Sequence, residues 1–357
     1  MPRPVERRCL KLAAWPDADR AAWHALFRSG DVLDGDQGAA VQWSEATIHK
    51  YRRGYGRWLD FLIQSGRLRA DDQPGDRVTR QAVRAYVEHL RRSCAPYTVY
   101  TRLAELCSTI RVMAPGGHWV WLKAAVSRMN HNARQQAGIK ETVSSARLFG
   151  WSLRELGALA DAIGETGPSI GQAAHYRNLL MVALLSARPI RLRNLTMIEI
   201  GRHIVRNSSG YDLVFGRDET KTGTPIETSV PDDLTGPMDS YIERVRPILA
   251  GGKETARLWL NQYGAPMKEH GLYMQIVKVT ERDFGHRINP HRFRDCVATT
   301  IAIEDSEHAQ IIAPILGHSS MRTAERHYNH ARQLEAAHNY QTEILSLRRR
   351  LNRTSQP

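Results

Sequence analysis

The 357-residue sequence predicts a mainly α-helical chain with one small β-sheet, divided into a helical N-terminal domain and a mixed α/β C-terminal domain. Three observations predict this class. Apolar residues recur every three or four positions through most of the chain, the spacing of helices that bury one face. A single region, residues 211–215 and 226–230 around a polar turn, has β character and reads as a hairpin. Between the two parts, residues 131–147 are polar and lack an apolar period.

Residues 1–40 read as irregular, with a short helix around residues 23–27. Ser44 then stands as an N-cap, followed by Ile48, Tyr51, Tyr55, Trp58 and Leu62 at helical spacing, and Gly66 closes the pattern. Lys50, Arg52, Arg53 and Arg57 are distributed around that apolar stripe. A second helix starts at Thr79 and aligns Val83, Tyr86, Val87 and Leu90. A third aligns Leu103, Leu106, Ile110 and Met113, and a fourth Leu122, Ala125, Val126 and Met129. Residues 41–130 are therefore expected to form an all-α bundle with basic residues facing out, and residues 131–150 to link it to the C-terminal domain.

A new helical region is expected to open at Trp151 and Ser152, with Leu153, Leu156, Leu159 and Ile163 in phase. A strongly apolar helix over residues 179–185 leads into Arg191-Leu192-Arg193-Asn194-Leu195. The hairpin turn, residues 218–223, carries Lys221. From Asp232 onward the pattern is mainly helical, and a final stripe of Leu334, Ala337, Tyr340, Ile344, Leu347 and Leu351 predicts a C-terminal helix with a basic tail over residues 334–357.

The charge narrows the class of partner. The net charge is +13, and residues 1–150 hold 24 Lys and Arg against 14 Asp and Glu, while the rest holds 26 against 23. Such an excess favours polyanions, chiefly nucleic acid, although a basic surface also serves solubility. The four cysteines have no metal-ligand spacing and suggest no disulfide framework. No apolar run is long enough to span a bilayer and the N-terminus lacks the core of a signal peptide, so a soluble cytoplasmic protein with reduced thiols is expected.

Six residues carry a specific chemistry: Arg191, Lys221, His291 and Arg294 in His291-Arg292-Phe293-Arg294, His318 in Leu316-Gly317-His318, and Tyr328 ten residues further on. A scissile phosphate gathers negative charge on its non-bridging oxygens in the transition state. Two guanidinium groups from separate segments can clamp those oxygens through paired hydrogen bonds. A phenol can attack in line and leave a covalent phosphotyrosine. A histidine can take the phenolic proton, and a lysine on a turn can protonate the departing 5′ oxygen. Arg188 and Arg193 flank Arg191 and read as a solvated helix end. A metal site at His318, His327 and His330 is the rival reading, but no cysteine or acidic cluster accompanies them.

This order and spacing resemble the tyrosine recombinase (phage integrase) family, specifically over residues 151–335 and loosely over 40–130. The resemblance implies a catalytic domain over residues 151–333 and a core-binding DNA-binding domain over 41–130, together clamping double-stranded DNA. It implies catalytic Arg191, Lys221, His291, Arg294, His318 and Tyr328, with Lys50, Arg52, Arg53 and Arg57 as DNA-contacting candidates. No cofactor, metal or ATP is expected. The terminal helix is expected to dock on a neighbouring protomer in a homo-oligomer on DNA, a tetrameric synapse, with partner recombinases or DNA-bending proteins compatible with the sequence. The implied activity is site-specific recombination through a 3′-phosphotyrosyl link, for integration, excision or transposition of a mobile element. A type IB topoisomerase-like enzyme and a catalytically inactive DNA-binding relative are the alternatives. Two positions depart from the family pattern: Asn194 stands where an acidic residue is frequent, and Asp295 where a histidine is frequent.

Overall fold

The computed structural model describes residues 9–31, 35–69, 71–136 and 143–304. His318, Tyr328 and the expected C-terminal helix lie outside the described residues. The chain separates into two compact units, Met1–Lys140 and Glu141–Pro357.

The first unit is a helical bundle. Helix α1 (Asp17–Ala25) comes earlier than the sequence pattern indicates and belongs to the bundle, because Trp15, Trp23 and Leu26 all enter its core. Helix α2 (Glu45–Gln64) starts as expected: the Ser44 hydroxyl accepts from the Thr47 amide at 3.3 Å. Gly66 follows its end in the left-handed region, at φ 65°. Thr79 caps α3 (Arg80–Arg91) in the same way, at 3.1 Å from the Ala82 amide. Proline at the first turn starts α4 (Pro96–Met113), where a missing amide donor is harmless.

Trp58, Tyr55, Leu62, Tyr86, Leu103, Leu106 and Ile110 form the centre of the core, and Trp58 meets Tyr86 edge-on at 5.3 Å. Helix α5 (Val120–Gln136) closes the bundle against α4 with Leu122 fully buried and Ala125, Val126 and Met129 half-covered. It runs on through residues 131–136, part of the stretch expected to be linker. Those side chains are polar because the last turns of α5 are largely exposed, with only Ala133 buried.

The second unit also begins its helix earlier than expected. Helix α6 spans Ser145–Ile163, because the Ser144 hydroxyl caps it and the Ser145 amide donates to the Thr300 hydroxyl at 2.9 Å. Helix α7 (Ile170–Ala187) carries a capping box between Ser169 and Gln172 and is buried on all sides from Tyr176 to Ser186, which explains its lack of a polar face. After it come the short α8 (Leu192–Met197) and three strands, β1 (Ile204–Arg206), β2 (Tyr211–Phe215) and β3 (Ile226–Ser229).

The sheet is antiparallel in the order β1-β2-β3, with Leu213 opposite both Ile204 and Thr228. The hairpin matches the sequence reading, whereas β1 is an addition: three residues are too short to display a period. Helices α9 (Thr235–Ser240) and α10 (Arg246–Ala250) are joined through a π-helical turn, Tyr241–Val245. Helix α11 (Glu269–Arg282) packs on α7 and α8, and α12 (Pro290–Glu304) on α6, α7 and α11. The core of this unit gathers the apolar faces of α6 and α7, the inner face of the sheet, and Trp259, Leu272, Ile276 and Phe293.

Candidate active site

Pro189 ends α7 by denying it a further amide donor, and the chain turns at once into α8. This corner holds Arg191, half-buried, at the N-cap position of α8 in an extended conformation. Arg188 goes elsewhere: its Nε donates to the Ser229 carbonyl at 2.8 Å, tying the end of α7 to the end of β3. Arg193 is exposed.

Helix α12 brings the second arginine. The Asn289 side chain accepts from the amides of His291 and Arg292, each at 3.1 Å, and Pro290 opens the helix. His291 and Arg294 are three residues apart and so lie on neighbouring rows of one side of the helix. Phe293, Cys296 and Val297 are buried, Arg294 is 6% exposed, and His291 remains exposed. Arg294 Nη1 donates to the Pro189 carbonyl at 2.6 Å. Burial, and then the adjacent Arg191 charge, push the Arg294 guanidinium down to about 10, with Asp295 opposing the shift. Two cationic groups are thus brought together, one of them largely removed from water.

Lys221 is exposed on the turn between β2 and β3. That turn is built in two steps, a 3-10 turn at Arg217–Glu219 and a reversal through Gly223 at φ 68°. Asn194 stands three residues after Arg191, on α8. It is buried and its Nδ2 donates to the Glu219 carbonyl at 3.1 Å, fastening the Lys221 turn to the helix that Arg191 caps.

Residues not foreseen from sequence complete this region. The Glu219 carboxylate accepts from the Gly216 amide at 2.9 Å, meets His203 Nε2 at 3.1 Å and pairs with Arg202. The hydrogen bond from the Gly216 amide first, then that from His203, and the Arg202 charge hold this carboxyl below the usual carboxylate range against the effect of burial. No sequence signal marks the His203–Glu219 contact, since it depends on the pairing of β1 with β2.

On α2, Lys50, Arg52 and Arg53 are exposed. Arg57 is not on that open face: its side chain is 10% exposed and its Nη1 lies 3.3 Å from Glu105 on α4. The expectation that all four basic residues face outward is corrected for Arg57, because the buried Glu105 carboxylate draws it inward. Among the described residues, no group of three or more His, Cys, Asp or Glu side chains could hold a metal ion, and His327 and His330 lie outside them. Among them too, no helix is long and apolar enough to cross a membrane.

A model of the Phage integrase family matches residues 154–335, half of the chain, and this segment contains Arg191, Lys221, His291, Arg294, His318 and Tyr328. The chain belongs to this family. Among phage-integrase relatives, the tyrosine recombinase XerD of Staphylococcus aureus is 27% identical over 159 residues, 44% of this chain and 52% of XerD. The match thus spans about half the length of that curated relative.

Of solved structures, the XerH site-specific recombinase bound to difH substrate in a pre-cleavage complex is similar with a TM-score of 0.58 at 12% identity, over 94% of this chain and 99% of XerH. A lambda integrase(75-356) dimer bound to a COC' core site is similar with a TM-score of 0.50 at 15% identity, over 81% of this chain and 90% of that one. At these identities the likeness is one of fold, and the mainly helical architecture with one small sheet agrees with it.

Proposed function

We propose that this chain is a site-specific DNA recombinase of the tyrosine class, which cuts and rejoins DNA through a covalent 3′-phosphotyrosyl intermediate without metal or ATP. The observation that carries this reading is the pairing of Arg191 with the buried Arg294 inside the family-matched segment. Like charges held together in a poorly solvated place are unfavourable alone and favourable around an anion. A phosphodiester supplies the anion, and guanidinium groups donate to its two non-bridging oxygens in a fixed geometry.

In the proposed reaction the Tyr328 oxygen attacks the scissile phosphorus in line as the bond to the 5′ oxygen breaks. The phenolic proton passes to His291 or His318, and Lys221 protonates the departing 5′ oxygen. Arg191 and Arg294 stabilise the charge that develops between these events. A 5′-hydroxyl from a second duplex then attacks the phosphotyrosine, which conserves the bond energy and exchanges strands.

Residues 41–130 act in this reading as the core-binding domain and 151–333 as the catalytic domain, clamping duplex DNA. The exposed Lys50, Arg52 and Arg53, and the basic excess of residues 1–150, support backbone contacts there. Residues 334–357 dock on a neighbouring protomer, so that copies close into a ring, a tetramer at synapsis. The protein works in the cytoplasm on the DNA of a mobile element.

The test uses DNA nicked near candidate sites at the ends of the genetic element that encodes the chain. Full-length protein in EDTA should yield a protein–DNA adduct on a denaturing gel, and Tyr328→Phe should yield none. Binding to those sites without an adduct from the wild-type protein would overturn the reading.

A further inference from the structure

The base of the Lys221 turn contains a buried polar cluster for which the proposed chemistry has no direct use. We infer that Glu219 is a positioning residue for Lys221, holding the turn through its carboxylate on one side and through Asn194 on the other. The inference rests on the proposed role of Lys221 as the proton donor to the 5′ oxygen.

Glu219 receives polar contacts from four directions. Its Oε2 accepts from the Gly216 amide at 2.9 Å, which closes the 3-10 turn two residues before the lysine. Its Oε1 takes His203 Nε2 at 3.1 Å and the Arg202 guanidinium. Its own backbone carbonyl accepts from Asn194 on α8. His203 is 1% exposed and its Nδ1 accepts from the Glu199 amide at 3.1 Å, so Nδ1 cannot carry the proton of the neutral ring. The remaining proton lies on Nε2 and points at Glu219. The imidazole is held in turn by Phe215, the last residue of β2, at 5.2 Å between ring centres, and by the strand pairing of its own carbonyl with the Val214 amide at 2.9 Å.

Lys221 itself is exposed and sits at the end of a flexible four-carbon stem. A proton donor must come within hydrogen-bond reach of its acceptor as the bond breaks, so the backbone that carries it has to be placed in advance. Downstream, Gly223 and the residues before β3 give little fixation, the Gly223 amide reaching the Thr220 carbonyl only at 3.4 Å. Upstream, Glu219 ties the turn to β1, β2 and α8 together. Because α8 is the helix capped by Arg191, the same contacts set the lysine relative to the phosphate-binding arginine. A neutral apolar residue at position 219 could fill the space but could not accept from three donors.

The experiment separates placement of the proton donor from general damage. Full-length wild type, Lys221→Ala, Glu219→Ala, Glu219→Gln and Asn194→Ala are compared in adduct formation on two DNAs, one with oxygen and one with sulfur at the 5′ bridging position of the scissile phosphate. A thiolate leaves without needing a proton, so loss of the donor is masked on the sulfur substrate. Lys221→Ala and Glu219→Ala should each be slowed at least about 100-fold on oxygen, within the range that general acids contribute, and less than about 3-fold on sulfur. Glu219→Gln and Asn194→Ala should show the same pattern more weakly.

Recovery of Lys221→Ala on sulfur without recovery of the Glu219 variants would overturn the positioning role and leave the lysine's role intact. Failure of Lys221→Ala itself to recover would remove the lysine reading, and the positioning role with it. Wild-type rates for Glu219→Ala on both DNAs would also overturn the inference. Should Glu219→Ala lose its thermal unfolding transition, Glu219→Gln, which keeps the acceptor for the Gly216 amide, is judged by the same ratio of the two rates.

Discussion

Arg294 on α12 reaches across to the Pro189 carbonyl, donating at 2.6 Å to the corner that ends α7 and delivers Arg191. One hydrogen bond therefore couples the two arginines that the sequence separates by about a hundred positions. It also places a charged group where burial and a like charge both disfavour it.

Substitution of Arg294 should separate activity from stability. Arg294→Met keeps a long side chain, loses the Pro189 contact and relieves the charge beside Arg191. Adduct formation is expected to fall about 100-fold or more. A guanidinium pushed down to about 10 keeps fewer protons in the folded than in the unfolded chain above that pH. The stability of wild type relative to Arg294→Met should thus be least at neutral pH and rise as pH passes 10. Denaturation curves at pH 7 and pH 10.5 check the sign, and a wild-type stability relative to the variant that falls between them would contradict it.

Salt dependence distinguishes the basic residues of α2. Changing Lys50, Arg52 or Arg53 to Gln should each lower the slope of log affinity against log salt by about one unit for duplex DNA. Arg57→Gln should leave the slope unaltered and instead destabilise the protein by about 1–3 kcal/mol, because Glu105 is 4% exposed and loses one of its two guanidinium partners. Fluorescence anisotropy over a salt series and urea unfolding measure the two effects.

Asp19 anchors α1 to the first unit. It is fully buried, accepts from the Tyr55 hydroxyl at 2.6 Å and pairs with Arg77 Nε at 3.1 Å. Asp19→Ala leaves the buried Tyr55 hydroxyl and Arg77 Nε without their shared acceptor, although Arg77 keeps the Asp72 carbonyl at 2.7 Å, and should cost about 2–4 kcal/mol. Tyr55→Phe, which removes only the hydroxyl, should cost about 1 kcal/mol. Urea unfolding followed by tryptophan fluorescence reports on this unit through Trp15, Trp23 and Trp58, and equal effects of the two variants would contradict the ranking.

Thiol reactivity should track burial. Cys296 is buried and its thiol is pushed up to about 11, and burial raises Cys107 as well. The thiolate is the reactive form, so N-ethylmaleimide at pH 7 should modify Cys94 first and Cys9 next, reaching Cys107 and Cys296 only in denaturant. Mass spectrometry of timed samples gives the order, and early modification of Cys296 would show that α12 opens.

Local determinants were legible in the sequence by itself. Ser44 and Thr79 cap their helices through their own next turn, and the stripe from Ile48 to Leu62 needs only helical periodicity to be recognised. The hairpin, the apolar α7 and the order of the six candidate residues are equally properties of neighbours along the chain. What tertiary structure decided concerns partners far apart in sequence. Arg57 looks like its basic neighbours until Glu105, 48 residues away, is brought beneath it. Arg188 and Arg191 differ by three positions, yet one reaches Ser229 and the other stands beside Arg294. Strand β1 and the His203–Glu219 contact exist because β2 pairs on both sides, which no three-residue segment can announce. The physical reason is the same in each case: capping and periodicity are set within one or two turns, whereas burial and charge pairing depend on what folding brings into contact.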